Sequence, residues 1–362
     1  MQLLLSVYIA FSVLVFLFLI TMDLLGIARN RSEERWRTRR GYNPKTLVIV
    51  PCKGKEPGLY ENLVAAKSQK YRNFRLIAVV DRDDAASAAV KRAGVMRMQP
   101  DFECRRCSDK VRRIASAIRA NAGYEVYAIL DSDEKVDGGW LGRLVAPLAD
   151  RRVGISVMFP IFKPADSGFW SKTKQVWGFV GQSLLESPRT RFAAGGSMAF
   201  RKELLDKRSF GFFADSRYSI SDDISLNLIV RRKGLQVAYN RHYHPVTRVR
   251  ENAASFFEWA NRQTALAIFA NRKTFYFGIG YYSAEILVFL TGIVGAVAVS
   301  PLMLVLLLHA LSSSMKNIAR AREASVEIVA ITLMMPFLYL YNLLVANGMR
   351  SITWRGITYR LS

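Results

Sequence analysis

Cysteine is scarce in this chain: among 362 residues only Cys52, Cys104 and Cys107 carry a thiol, too few for a disulfide framework. The pair Cys104 and Cys107 stands without a second pair or neighbouring histidines, which argues against a structural zinc site and leaves a local bridge or redox pair open. Acid is also short. The 29 Asp and Glu face 52 Lys and Arg, a formal net charge of +23, which suits nucleic acid, anionic headgroups or a phosphorylated substrate. No helix-turn-helix, zinc-finger or RNP-like pattern accompanies the dispersed basic residues, so nucleic acid is not an expected partner. The first apolar run lacks a basic leader and a small-residue cleavage site, which points to an uncleaved anchor.

Apolar residues are plentiful, at 51%. The run over residues 3–28 exceeds the roughly 20 residues that span a bilayer. The basic stretch RNRSEERWRTRR (29–40) follows it, and the positive-inside rule places that flank in the cytoplasm. Two more apolar segments cover 281–311, with Pro301 inside, and 328–346. One crossing each gives a layout of anchor 1–28, cytoplasmic domain 29–275, two transmembrane or re-entrant segments in 276–349 and cytoplasmic tail 350–362. The expectation is an integral protein of the cell membrane. Lys316, Arg320 and Arg322 then fall outside, against the charge rule, and a re-entrant or interfacial course for the longer segment is the alternative.

Between these segments short apolar runs alternate with helical patterns. TLVIVPC (46–52), FRLIAVVD (74–81) and YEVYAILDSD (124–133) read as strands. Residues 57–69, 84–94 and 108–123 read as helices, the last two closed by Gly94 and Gly123. This alternation predicts an α/β fold with a parallel sheet, whose ligands bind beyond the carboxyl ends of the strands. Acids stand at two such ends. For Asp81, Asp83 and Asp84 in DRDD, loop capping and nucleotide contact are equal readings. Asp131 and Asp133 in DSD repel one another unless they share a cation, and hard carboxylate oxygens favour Mg²⁺ or Mn²⁺. Gly195 and Gly196 in FAAGGSMAF permit a close backbone approach or a tight turn. In SISDDISLNLIVRRKG, Ser221 or Asp222 is expected to cap a helix, leaving Asp223 in its first turn, where the dipole favours the ionised form.

The succession PCKGKEPGLYENLVAAKSQKYRNFRLIAVVDRDDAA, AILDSD, GGSMAFRKELL, SDDISLNLIVRRKG and SITWRGITYRLS resembles membrane-anchored family 2 type glycosyltransferases with a GT-A nucleotide-sugar fold, and is similar to ceramide glucosyltransferase. The resemblance implies a GT-A (Rossmann-like) domain with flanking transmembrane helices, a UDP-sugar such as UDP-glucose as favoured donor, and a lipid or lipid-linked acceptor at the membrane. It implies that one of Asp81, Asp83 and Asp84 contacts the nucleoside, with Lys110 a further nucleotide contact. Asp131 and Asp133 match the metal and nucleotide motif, Asp133 being the direct ligand. Asp223 matches the proposed catalytic base and Asp222 its acidic neighbour. Gly195, Gly196, Trp259, Arg262 and Gln263 fall on the acceptor or diphosphate side.

The chemistry explains these residue types. A divalent ion stabilises the departing diphosphate, while a carboxylate on the opposite face of the sugar takes the acceptor proton. A single displacement of this kind inverts the anomeric centre. The chain departs from the pattern at one place: Ala265 and Leu266 stand where a (Q/R)-x-x-R-W element has Arg and Trp. That departure motivates the alternative of an inactive, glycosyltransferase-like membrane scaffold or regulator. Aromatic stretches at 169–185 and 256–277 read equally as core or as amphipathic surface helices.

Overall fold

The computed structural model describes residues 2–31 and 41–361, with side chains for 3–25 and 41–361. Most of the basic flank read at 29–40 lies outside the described residues. The chain divides into two compact units: residues 34–163, 181–249 and 353–362 form one, and residues 1–33, 164–180 and 250–352 the other.

In chain order, α1 (Gln2–Arg31) precedes β1 (Thr46–Pro51), α2 (Leu59–Lys67), β2 (Phe74–Val79), α3 (Ala86–Arg92), β3 (Met96–Met98), α4 (Asp109–Ala120) and β4 (Val126–Leu130). Then come β5 (Glu134–Lys135), α5 (Trp140–Val145), β6 (Val153–Met158), β7 (Ile161–Pro164), α6 (Phe169–Glu186), β8 (Ser197–Arg201), α7 (Lys207–Asp215), α8 (Asp222–Arg232), β9 (Gln236–Tyr239) and β10 (Val246–Val249). The helices α9 (Ala253–Ala270), α10 (Lys273–Ala298), α11 (Leu308–Ala321) and α12 (Val326–Gly348) follow, and the hairpin β11 (Ser351–Trp354) and β12 (Ile357–Arg360) closes the chain.

A seven-stranded sheet of order β3-β2-β1-β4-β8-β6-β9 organises the first unit. Its strands are apolar on both faces because both are covered. Leu47, Ile49, Ile77, Val79 and Ile129 pack with Val111, Ile114 and Ile118 of α4 on one side. Val48, Val50, Ala78, Ala128 and Leu130 pack with Leu59 and Leu63 of α2, Val90 of α3 and Trp140 of α5 on the other. β2 and β3 lie on one side of β1 and β4 on the other, so the order of strand addition switches between the parallel neighbours β1 and β4, and the loops after those two strands line the crevice where such sheets bind ligands.

The predicted sheet is parallel with one exception. β8 runs antiparallel to both β4 and β6. It starts at the carboxyl end of β4, where Asp131 N–H donates to Gly196 O at 2.7 Å, so the strand can only run back. Of the two readings of the Cys104 and Cys107 pair, the structure shows the local disulfide.

In the second unit, Val176, Trp177 and Phe179 of α6 are buried against Phe256 and Ala260 of α9 and Ile328, Ile331 and Met335 of α12. These aromatics are core, whereas Tyr276 and Phe277 near the start of α10 are exposed. Among the described residues four runs are long and apolar enough to cross a membrane: Leu3–Leu25, Lys273–Ala298, Pro301–Ala321 and Val326–Gly348. The segment read as one at 281–311 is thus two helices. Pro301, which has no N–H to continue α10, opens a 3₁₀ turn, and Ser300 caps it by accepting from Leu302 N–H. Glycines allow the two runs to lie close: a Cβ on Gly292 would come within 2.8 Å of Leu307, and one on Gly295 within 3.0 Å of Met303.

Candidate active site

At the carboxyl end of β4 the sheet delivers Asp131, Asp133 and Glu134 in succession. Facing them is Lys110 in the first turn of α4, a helix capped by Ser108, whose hydroxyl accepts from Val111 N–H at 3.2 Å. The Lys110 ammonium lies 2.7 Å from Asp131 Oδ1 and 3.2 Å from Asp222 Oδ2. Asp222 Oδ2 has no well-angled hydrogen-bond donor, so the second contact is charge attraction without directional bonding. Burial disfavours the ammonium, but Asp131 and Asp222 outweigh it and hold Lys110 well above its ordinary range.

The carboxyls are shifted upward as well, which for them favours the neutral form. Burial pushes Asp131 up to about 6; Lys110 restrains the rise while Asp133 and Asp222 add to it. Asp133 is raised by burial and then by Glu56, with Arg355 pulling the other way. Glu134, only 2% exposed, is raised well above its usual range, chiefly by burial, and its Oε2 has no hydrogen-bond partner.

Asp222 and Asp223 open α8. Ser221 occupies the N-cap, yet its side chain makes no capping bond; its hydroxyl donates to Asp223 Oδ1 instead, and Ile224 N–H donates to the same oxygen at 2.7 Å. The expected cap by Ser221 or Asp222 is therefore corrected. Ser221 serves Asp223: its hydroxyl is turned to donate to the carboxylate, a charge-assisted acceptor, in place of accepting from a first-turn N–H. The other oxygen, Oδ2, faces Gly195. Burial, then Asp222, pushes Asp223 up to about 6, so the ionised form that the helix dipole favours is reached at a higher pH than for an ordinary carboxyl.

The glycine pair explains how these acids approach one another. Neither glycine has a positive φ, so space, not backbone conformation, demands them. A Cβ on Gly195 would sit 3.2 Å from Asp223 Oδ2, and one on Gly196 only 1.6 Å from Glu134 Oε1. The close approach read from the sequence is made by the protein's own carboxyl groups.

The DRDD acids separate into distinct roles. Asp84 Oδ1 accepts from Gly54 N–H at 2.7 Å and Ala86 N–H at 2.8 Å, tying the β1–α2 loop to α3. Asp83 is exposed. Asp81 is the one held over the crevice, its Oδ2 2.5 Å from Arg113 and its Oδ1 3.4 Å from Arg112. Arg113 is 1% exposed and also bonds Asp109 at 2.9 Å.

Glu134, Arg113, Glu56 and Arg355 escaped the sequence reading. For Glu134 the signal was its place directly after DSD; for the others the partners lie far away in the chain. Trp259, Arg262 and Gln263 belong to the other unit, on α9. There the Trp259 ring meets Trp177 edge to face at 4.8 Å, with Lys174 Nζ 4.5 Å from its centre, while Arg262 and Gln263 are half-buried.

Among the described residues no three His, Cys, Asp or Glu side chains converge as a ready metal cage. Asp131 and Asp133 are nevertheless hard donors raised by burial, Asp131 also by Asp133 and Asp133 by Glu56, and a divalent cation would relieve that cost. Its remaining shell would come from ligand and water.

The fold resembles a solved mannosyltransferase from Pyrobaculum calidifontis in complex with GDP-Man and Mn²⁺, at 17% identity and a TM-score of 0.62, covering 94% of this chain and 98% of that one. A glucosyl-3-phosphoglycerate synthase from Mycobacterium tuberculosis, solved with Mn²⁺, UDP and glucosyl-3-phosphoglycerate, matches at 14% identity and a TM-score of 0.43, over 66% of this chain and 86% of that one. No curated protein matches the sequence. The profile of glycosyl transferase family 21 matches residues 8–362, nearly the whole length, including every acid described above. The protein is a glycosyltransferase enzyme of the GT-A type and belongs to glycosyl transferase family 21.

Proposed function

We propose that the enzyme transfers a sugar from a nucleoside diphosphate sugar, with a UDP-sugar favoured, to a lipid or lipid-linked acceptor at a membrane surface, with inversion and with Mg²⁺ or Mn²⁺ bound. One observation carries the reading: two sets of acids, Asp131 and Asp133 on β4 and Asp222 and Asp223 on α8, share one crevice and are bridged by Lys110. Asp133 is the direct metal ligand, since Lys110 already occupies Asp131 Oδ1. When bound, the ion stabilises the charge on the departing diphosphate.

The chain's own residues do the rest. Asp81, clamped by Arg113, contacts the nucleoside. Lys110 orients Asp131 and Asp222 and brings positive charge to the diphosphate side. Asp223 accepts the acceptor hydroxyl proton on Oδ2, since Oδ1 already takes two donors. The acceptor oxygen bonds to the anomeric carbon as the bond to diphosphate breaks.

The membrane arrangement we infer keeps three crossings but assigns them to α1, α10 and the Pro301–Ala321 run. α6 follows β7 and precedes β8, so it starts and ends on the catalytic side. α12 packs beside α6 and α9 along its length: Glu327 pairs with Lys172, Ile331 and Met335 join their core, and Asn342 accepts from Trp177 Nε1 at 3.0 Å. It also packs against α10 and α11; in this arrangement we assign it to the membrane surface, on the side of α6 and α9. The tail then stays with the catalytic domain, as its contacts with Lys53 and Asp109 require. Lys316, 2.5 Å from Asp23 at the inner end of α1, falls with Arg320 and Arg322 on the cytoplasmic side, in accord with the charge rule.

The test incubates purified protein with labelled UDP-glucose and other nucleotide sugars, Mn²⁺ or Mg²⁺, and extracted native lipids. The wild type is expected to form a labelled lipid. Asp223→Asn should retain donor binding and lose transfer by roughly 10²–10⁴-fold, whereas Asp133→Asn should lose metal-dependent donor binding. If no donor binds and neither substitution changes anything, the proposal fails.

A further inference from the structure

The C-terminal hairpin ends in a two-residue turn, Arg355–Gly356, with φ of 47° and 78°. Positive φ at both positions matches the twist of a hairpin and suits Gly356. An arginine in that conformation is uncommon. Its side chain does not trail into solvent: the guanidinium donates to Lys53 O and pairs with Glu56, both in the loop after β1. Four residues on, the Tyr359 hydroxyl accepts from Asp109 N–H at 3.2 Å at the start of α4. The hairpin thus touches two segments that border the crevice, more than 240 residues earlier in the chain. Glu56 and Arg355 are also charges that act on Asp133.

We propose that Arg355 is a donor-site residue that binds the diphosphate of the nucleotide sugar, exchanging its pairing with Glu56 for the phosphate oxygens. This rests on the reading above. Chemistry favours the assignment. Arginine offers a planar fork suited to phosphate oxygens, and its contacts with Lys53 and Glu56 hold it within electrostatic reach of Asp133, the carboxyl assigned to the metal. Glu56 keeps the fork aimed into the crevice and is exchanged for phosphate when donor enters. A tail that merely staples the domain would need no fixed guanidinium at the lip.

The test compares binding of UDP and GDP with that of UMP and GMP, each with Mn²⁺, to the full-length protein in detergent by calorimetry. Arg355→Ala should weaken the preferred nucleoside diphosphate by roughly ten- to a hundredfold, the worth of a charged hydrogen bond, and the monophosphate less than about twofold. Arg355→Lys should fall between. Glu56→Gln should tighten diphosphate binding a few-fold by releasing the guanidinium, and it decides the matter if Arg355→Ala does not fold. Equal weakening of mono- and diphosphate, or no tightening in Glu56→Gln, overturns the assignment. A wild type that binds neither diphosphate overturns the donor reading itself, and this inference with it.

Discussion

Adding one methyl group at each of two adjacent glycines separates stability from catalysis. In Gly196→Ala the new Cβ falls 1.6 Å from Glu134 Oε1 and 2.6 Å from its Cδ. Ordinary contact begins near 3.4 Å, so a carboxyl that is only 2% exposed must retreat by roughly 2 Å or the start of β8 must move, an overpacking that costs about 1–3 kcal/mol. Moving β8 also strains the 2.7 Å bond from Asp131 N–H to Gly196 O. For a domain of this size that cost lowers the melting temperature by roughly 2–12 °C.

Gly195→Ala differs in kind. Its Cβ would meet Asp223 Oδ2 at 3.2 Å, a few tenths of an ångström too close, so stability should stay within about 0.5 kcal/mol of wild type. The oxygen displaced is the one assigned to the acceptor proton, and transfer should fall severalfold, short of the roughly 10²-fold that a full 1 Å misplacement costs. Intrinsic-fluorescence melting and the lipid-labelling assay read the two effects. A Gly196→Ala protein that melts with wild type, beside a Gly195→Ala protein that transfers at full rate, would refute the packing argument.

Two further outcomes follow from the buried acids. Glu134 holds its proton in the folded state above its ordinary value of 4.5; between that value and its raised one the native state binds more protons than the unfolded, so wild-type stability falls as pH rises. Glu134→Gln removes the titration, so its stability relative to wild type should grow over the same window in melts from pH 5 upward; a constant difference would exclude a raised Glu134. With Asp223 pushed up to about 6 by burial, the base is lost on acidification: transfer should decline about tenfold per pH unit below 6 under subsaturating acceptor, and a flat profile down to pH 5 would remove Asp223 from that role.

Much of the first unit was legible because strands and helices there obey local rules. TLVIVPC, FRLIAVVD and YEVYAILDSD are apolar on both faces, as strands covered twice must be, and Gly94 follows α3 in the left-handed conformation, with φ of 60°. DSD was legible as a pair because its two acids share one loop. Less legible were features that depend on what comes near in space. β8 reverses because its start is tethered to Asp131, 65 residues earlier. The 281–311 segment breaks in two because Ser300 and Pro301 form a cap, although its hydropathy runs through them.

The sequence by itself determined the alternating α/β pattern, the acids at strand ends and the presence of long apolar runs, because periodicity, turn chemistry and hydropathy are properties of neighbouring residues. Only the tertiary structure decided that Lys110 bridges two pairs of acids, that the glycines make room for Glu134 and Asp223, that α12 packs beside α6 and α9, and that Arg355 meets Lys53. Each of those facts is a contact between residues distant in the chain. Such contacts follow from how the sheet, its covering helices and the C-terminal hairpin pack, which no local stretch of sequence encodes.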